Sequence, residues 1–441
     1  MRLKITILLG LLIAAFALQN VVAQQQDTYA TAAELKLMEG FPPPLERRVT
    51  QETALQTPPF NRWSYQHMRM FYPSAPIAAA EKPVPLSKTI DWSMEQIAIP
   101  EPESERETDL DTFLKKTYTD ALVVIKGDQI VWEQYLNGMH ANQPHQMMSV
   151  TKSFCGLLGL MAVEEGTLKE SDPVAKYVRE LEQAGAFADA TLGQLLDMTN
   201  SMDFTEDYDD PRSGIFEYIA ALGLGEPPEG TESERGLYEF LLTLDIDKAH
   251  KHGERFYYQT PKTDALNWVI NRMTSQSFQD AIYDKLWSKL GTEGETYVLL
   301  DENATLIAGG GLNATPYNLA RFAIMMLGDG QYNGRQVLSP SIIETLARGG
   351  DRKAFDRYPY SGGPIFPKGN WSYRAQWWVR HAPGKEAFMA IGIHGQWIYI
   401  DVNRDIAIVK QSSQPEAETD YMYAYQFNAF DAIVDHLSKR E

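Results

Sequence analysis

The chain has 441 residues, 44% of them hydrophobic and 11% aromatic, a composition that suits a globular protein with a large core and excludes a disordered or fibrous one. Its formal charge of −19 leaves no basic footprint and argues against nucleic acid as a partner. A single cysteine, Cys155, excludes an internal disulfide, so stability must come from packing.

Residues 1–23 read as a secretory leader. Arg2 and Lys4 precede an apolar run from Ile5 to Leu18, and Val21-Val22-Ala23 supplies small residues at a cleavage point. The run is shorter than the roughly 20 residues of a bilayer span, and no cysteine near the cleavage point offers a lipid anchor. The expectation is an exported protein, periplasmic or secreted, with no stable membrane anchor once the leader is removed.

Residues 24–108 form a Pro-rich extension (GFPPPLERR, TPPF, EKPVPL) interspersed with Phe60, Trp63, Tyr65, Phe71 and Tyr72. So many prolines exclude long helices and central strands, while the aromatics predict packing on the main body. From 109 to 441 the pattern changes. LDTFLKKTYTDA predicts a short helix, and ALVVIKGDQIVWEQYL predicts two strands joined at Gly127-Asp128. MMSVTKSFCGLLGLMAVEEGTL predicts an apolar helix, with Cys155 inside it as a small buried hydrophobe. Residues of about 167–305 read as mostly helical, PYNLARFAIMML as a further helix, AFMAIGIHGQWIYID and IAIVKQSS as strands, and YMYAYQFNAFDAIVDHL as a closing helix. Strands at both ends of a helical block predict an α/β (α+β) domain. Its antiparallel sheet is completed by distant segments and flanked by helices, with an all-helical subdomain inserted.

Ser149 and Lys152 carry the first chemical signal. A serine hydroxyl is a weak nucleophile until a base takes its proton, and positions three apart share a helix face. Desolvation in an apolar helix lowers a lysine's pKa toward a useful value. Ser149 is the only serine with a lysine three residues on, although a helix-capping serine beside a solvated lysine would show the same spacing. In HGERFYYQTPKTDALNWV, Tyr258 or its neighbour Tyr257 could relay a proton to a leaving atom, the lysine's charge favouring the phenolate. In Gly392-Ile393-His394-Gly395-Gln396, glycine in an expected strand marks close approach. Such a strand can aim a backbone N–H at an oxyanion together with the Ser149 amide. His394 could bond a substrate group or support Tyr258.

The order of these motifs, with TEDYDDP, AGGGLNATPYNLARF, YRAQWWV and GIHGQWIYIDVNRDIAIV, resembles the serine β-lactamase and penicillin-binding-protein superfamily. Within it the chain is most similar to the class C β-lactamase-related branch and the 6-aminohexanoate-dimer hydrolases, over roughly residues 110–440. The resemblance implies Ser149 as acyl-accepting nucleophile, Lys152 as proton acceptor, and Tyr258, rather than Tyr257, as shuttle to the leaving group. It implies Tyr208 over the substrate amide and Gln396 or Trp397 as donor of the second oxyanion amide. It departs from the lactamases at Thr260, where they carry Asn, and at His394-Gly395-Gln396, where they carry Lys-Thr-Gly. Both departures favour an esterase or amidase acting on a small linear substrate. No Gly-x-Ser-x-Gly and no His-Glu-x-x-His occurs, and His250 and His252 lack an obvious third ligand, so neither a metal nor a cofactor is expected.

Overall fold

The computed structural model of the chain describes residues 28–231 and 236–439; the leader expected at 1–23 lies outside them. An eight-stranded sheet forms the middle layer. Its strands are β1 (Ser87–Lys88), β2 (Thr119–Lys126), β3 (Gln129–Tyr135), β4 (Trp371–Arg374), β5 (Trp377–Arg380), β6 (Ala387–Gly392), β7 (Gln396–Asp401) and β8 (Ile406–Ser412). The spatial order is β4-β5-β6-β7-β8-β2-β3-β1, antiparallel except for the short edge pair β1–β3. The C-terminal β8 thus pairs with the N-terminal β2, Val123 lying opposite Val409.

Both sheet faces are covered, which is why β2 and β6–β8 read as nearly continuous apolar runs. On β2, Val123 and Ile125 enter one core while Leu122 and Val124 enter the other, the alternation a pleated strand imposes. The first core is built on α2 (Val150–Glu164), α3 (Pro261–Thr274) and α4 (Pro316–Leu327). The second is closed by α1 (Leu110–Lys116) and α5 (Asp420–Ser438). Residues Val150 to Ala162 of α2 are all buried, as befits a helix apolar on every side. Gly156 lets α2 meet the β4–β5 turn: a Cβ there would lie 1.9 Å from the Ala375 carbonyl oxygen. Gly156→Ala is therefore expected to cost about 3 kcal/mol through overpacking against backbone that cannot yield, as read by urea denaturation.

The helical block runs to Leu290, shorter than the sequence implied, because Thr296–Leu299 is a strand. It sits in a second, four-stranded sheet with Ser74–Ile77, Leu312–Ala314 and His145–Gln146. The Pro-rich extension contributes, among its described residues, only edge strands and helical turns of three to five residues. It nevertheless shares the first core through Leu55, Tyr65, Met68 and Tyr72. Arg62 reaches Asp120 at 3.1 Å, and the same carboxylate accepts from Asn137, His145 and Ser413, so every charge in this buried junction is answered.

Candidate active site

Ser149 stands at the start of α2, just after Met148, whose φ of 47° is a left-handed conformation that bulky residues rarely adopt. The sharp turn presents the serine at the mouth of the helix. Its hydroxyl makes no capping bond, so the capping role does not apply. Lys152 Nζ instead donates to Ser149 Oγ at 2.7 Å and to the Gly309 carbonyl at 2.6 Å. Lys152 is 1% exposed, and burial brings its ammonium down to about 8, against the opposing pull of Glu206 and Asp264.

Of the two adjacent tyrosines, Tyr258 is the one beside Ser149 and Lys152. Its ring centroid lies 5.1 Å from Lys152 Nζ, and Ser149 is near enough to its hydroxyl to exert a lowering pull on its pKa. Trp378 stacks on it at 5.4 Å. Tyr257 lines the same cavity but packs under the Arg255 guanidinium. Lys262, wholly buried, fixes this segment by donating to the carbonyls of Met198 and Tyr257. The phenolate anticipated for Tyr258 is not favoured. Burial, then Tyr373 and Glu206, push its hydroxyl well above the usual tyrosine range, outweighing the pull of Ser149. Lys152 is thus the group able to take a proton near neutrality, and Tyr258 keeps one to give.

The strand expected across 387–401 is two strands, β6 and β7, joined by Ile393-His394-Gly395, with φ of 61° at His394 and 88° at Gly395. The turn bears on the second oxyanion amide expected at Gln396 or Trp397. Gln396 opens β7, which is paired on both sides, and its side chain is spent on His394 and Ser412. Trp397 lies in the aromatic cluster with Phe427 and Phe430. The backbone that approaches Ser149 is the end of β6: a Cβ on Gly392 would lie 3.1 Å from the Ser149 nitrogen, and Ile393, past the last ladder pair, lines the cavity beside Ser149.

His394 neither touches Tyr258 nor enters the cavity. It donates from Nδ1 to the Gln414 carbonyl at 2.8 Å and meets Tyr65 edge-on at 5.6 Å; burial lowers its pKa to about 4. Gly395 faces Ser412 and Gln414. Both therefore brace the turn that carries Ile393. Tyr208 does line the cavity, its hydroxyl donating to Glu206 at 3.1 Å.

Two buried or half-buried acids escaped the sequence reading. Glu206 accepts from the Thr260 backbone N–H at 2.6 Å and from its hydroxyl at 2.8 Å, so the Thr260 position is tied to the TEDYDDP loop. Asp264, raised to about 6 by burial, accepts from Gly309 N–H and Tyr218 OH and so holds the loop that meets Lys152. Cys155 is buried beside the Thr263 carbonyl with its thiol pushed up by burial, which leaves it no nucleophilic role. Among the described residues, no group of three or more His, Cys, Asp or Glu is placed to hold a metal ion.

The family model described as Beta-lactamase matches residues 109–431. The 6-aminohexanoate-dimer hydrolase of Paenarthrobacter ureafaciens is 33% identical over 374 residues, 84% of this chain and 90% of that protein. A Bacillus anthracis structure named for a 6-aminohexanoate-dimer hydrolase superposes with a TM-score of 0.79 at 28% identity, covering 90% of this chain and 99% of that one. A penicillin-binding-protein homologue from Caulobacter crescentus shares the fold, with a TM-score of 0.55 at 13% identity over 79% of this chain and all of that one. The chain is therefore a hydrolase that belongs to the Beta-lactamase family, within the serine β-lactamase and penicillin-binding-protein superfamily.

Proposed function

We propose that the protein cleaves an amide or ester of a small linear substrate through an acyl-enzyme on Ser149, as an amidase of the 6-aminohexanoate-dimer-hydrolase type. The observation that carries the reading is the 2.7 Å contact between Ser149 Oγ and a buried Lys152 whose pKa is about 8, at a cavity of about 330 Å³.

In the first half-reaction Ser149 Oγ bonds to the carbonyl carbon while its proton passes to Lys152. The developing oxyanion is met by the backbone amide of Ser149 and by that of Ile393, which follows the Gly392 backbone that approaches the Ser149 nitrogen and lines the cavity. The bond to the leaving atom breaks as that atom takes the Tyr258 hydroxyl proton, and Lys152 returns the proton to Tyr258. In the second half water attacks the acyl carbon, gives its proton to Lys152, and Ser149 Oγ leaves with a proton restored. The sum is one water consumed and one acid and one amine or alcohol released. An ester follows the same course with an easier departure, so esterase activity on activated esters accompanies the amidase.

The test is a panel of p-nitrophenyl butyrate, 6-aminohexanoate dimer and nitrocefin, quenched early and analysed by intact mass and peptide mapping. An acyl group on the Ser149 peptide from the linear substrates is expected. Hydrolysis with no adduct on that peptide, or an adduct elsewhere, overturns the assignment.

A further inference from the structure

Two cavities of opposite character meet at Ser149. The larger, of about 330 Å³, is walled by Glu206, Asp209, Glu418 and Asp420 among the rings of several tyrosines and Trp378, and among the described residues no Lys, Arg or His lines it. The smaller, of about 60 Å³, is walled by apolar side chains, among them Leu55, Ile215, Ile219, Leu222 and Ile307. We propose that the two halves of the substrate are sorted between them: an apolar acyl group in the small cavity and a leaving group bearing a positive charge in the large one. The substrate class is then an amide of a diamine or polyamine, or an ester of an aminoalcohol. This inference rests on the acyl-enzyme reading above.

The direction of binding follows from the proton path. The group that protonates the leaving atom must face the leaving group. Tyr258 lines the large acidic cavity and not the small one, whereas Lys152 lines the small cavity and not the large one. The leaving group therefore lies among the carboxylates and rings.

The charge of that wall selects its occupant. Glu418 lines the cavity with its side chain exposed there, and desolvation by the surrounding protein, followed by repulsion from Glu206, raises its carboxyl to about 7. A cation relieves that repulsion, and a second carboxylate adds to it. Aromatic rings present their negative faces to an ammonium group as well. The acids are spread around the wall and do not converge as a metal site would, which suits an extended organic cation. The 6-aminohexanoate dimer has the reverse polarity: its leaving half ends in a carboxylate and its acyl half in an ammonium group.

The experiment compares three amides sharing a butanoyl group, with leaving amines 1,5-diaminopentane, pentylamine and 6-aminohexanoate. The expected order of kcat/KM is cationic over neutral by about tenfold and over anionic by about a hundredfold, given one to two partly desolvated charge interactions. Glu418→Gln is expected to shrink the cationic-to-neutral ratio to about twofold or threefold. As a reading that needs no amide turnover, pentylammonium should inhibit p-nitrophenyl butyrate cleavage at about tenfold lower concentration than pentanoate. An anionic leaving group handled as well as the cationic one, equal inhibition by the two ions, or a ratio indifferent to Glu418→Gln each overturns the proposal. If p-nitrophenyl butyrate acylates Ser149 while those results appear, only the charge sorting fails. If nothing acylates Ser149, the hydrolase reading of the site fails with it.

Discussion

Replacing Ser149 with alanine is expected to lower kcat/KM for any amide or ester substrate by about four to six orders of magnitude, the scale on which a nucleophile lost from a cooperating set is felt. The substitution removes the only atom that bonds to the acyl carbon and leaves the cavity walls intact. Lys152 keeps its bond to the Gly309 carbonyl, so stability should fall by no more than about 1 kcal/mol, the net worth of one hydrogen bond. Inhibition by small ammonium ions should persist in displacement titrations, because the rings and acids that bind them are untouched. Residual turnover within tenfold of the parent would place the nucleophile elsewhere. Cys155→Ala, made alongside, should keep activity, since that thiol is buried and held protonated.

Lys152→Met should cost about three to four orders of magnitude, the contribution of a positioned general base together with the charge it carries afterwards. The protein should not lose stability, because an amine held at 1% exposure costs desolvation that a thioether does not. Arginine at this position should be as inactive as methionine, since a guanidinium does not deprotonate at working pH. The parent enzyme supplies the complementary reading. Only the neutral amine accepts the Ser149 proton, and burial brings Lys152 to about 8. Hence kcat/KM should rise as pH rises through about 8 and level off above it. A limb centred near an ordinary lysine's 10.5, or activity falling as pH passes through 8, would remove Lys152 from the role of base.

Much of this site could be read in the sequence because its parts are local. Ser149 and Lys152 share one face of a helix whose apolar surroundings are written in consecutive residues, and the β2–β3 hairpin announces itself through Gly127-Asp128 between β-branched runs. The parts that escaped depend on where the chain goes next. Gln396 and Trp397 lie in a stretch whose strand-forming residues are interrupted only by Gly392 and His394-Gly395, and the backbone conformation of His394 and Gly395 reveals that the chain has already reversed. The backbone that approaches Ser149 is therefore that of Gly392, before the turn, and not that of Gln396. Asp264 and Glu206 were equally silent, since an acid inside a helix or a loop reads as solvated until tertiary packing encloses it. Thr296–Leu299 is too short to outweigh the helical periodicity before it, and gains its identity from pairing with Ser74–Ile77 and Leu312–Ala314.

The pairing of β2 with β8 sets a timetable for this chain. Val123 and its neighbours leave the ribosome early, yet their partner edge around Val409 is made almost last. Until then β2 has only the β3 side of its ladder, and its other edge stays open to whatever strand it meets. Contacts so distant in sequence make for slow folding, because loop closure must precede the pairing it permits. The helical block between them joins segments closer in sequence than β2 and β8, and can gather first. A chain cut short before Ile406 would thus hold an assembled helical half and an unsatisfied sheet edge, a combination that invites aggregation rather than partial activity.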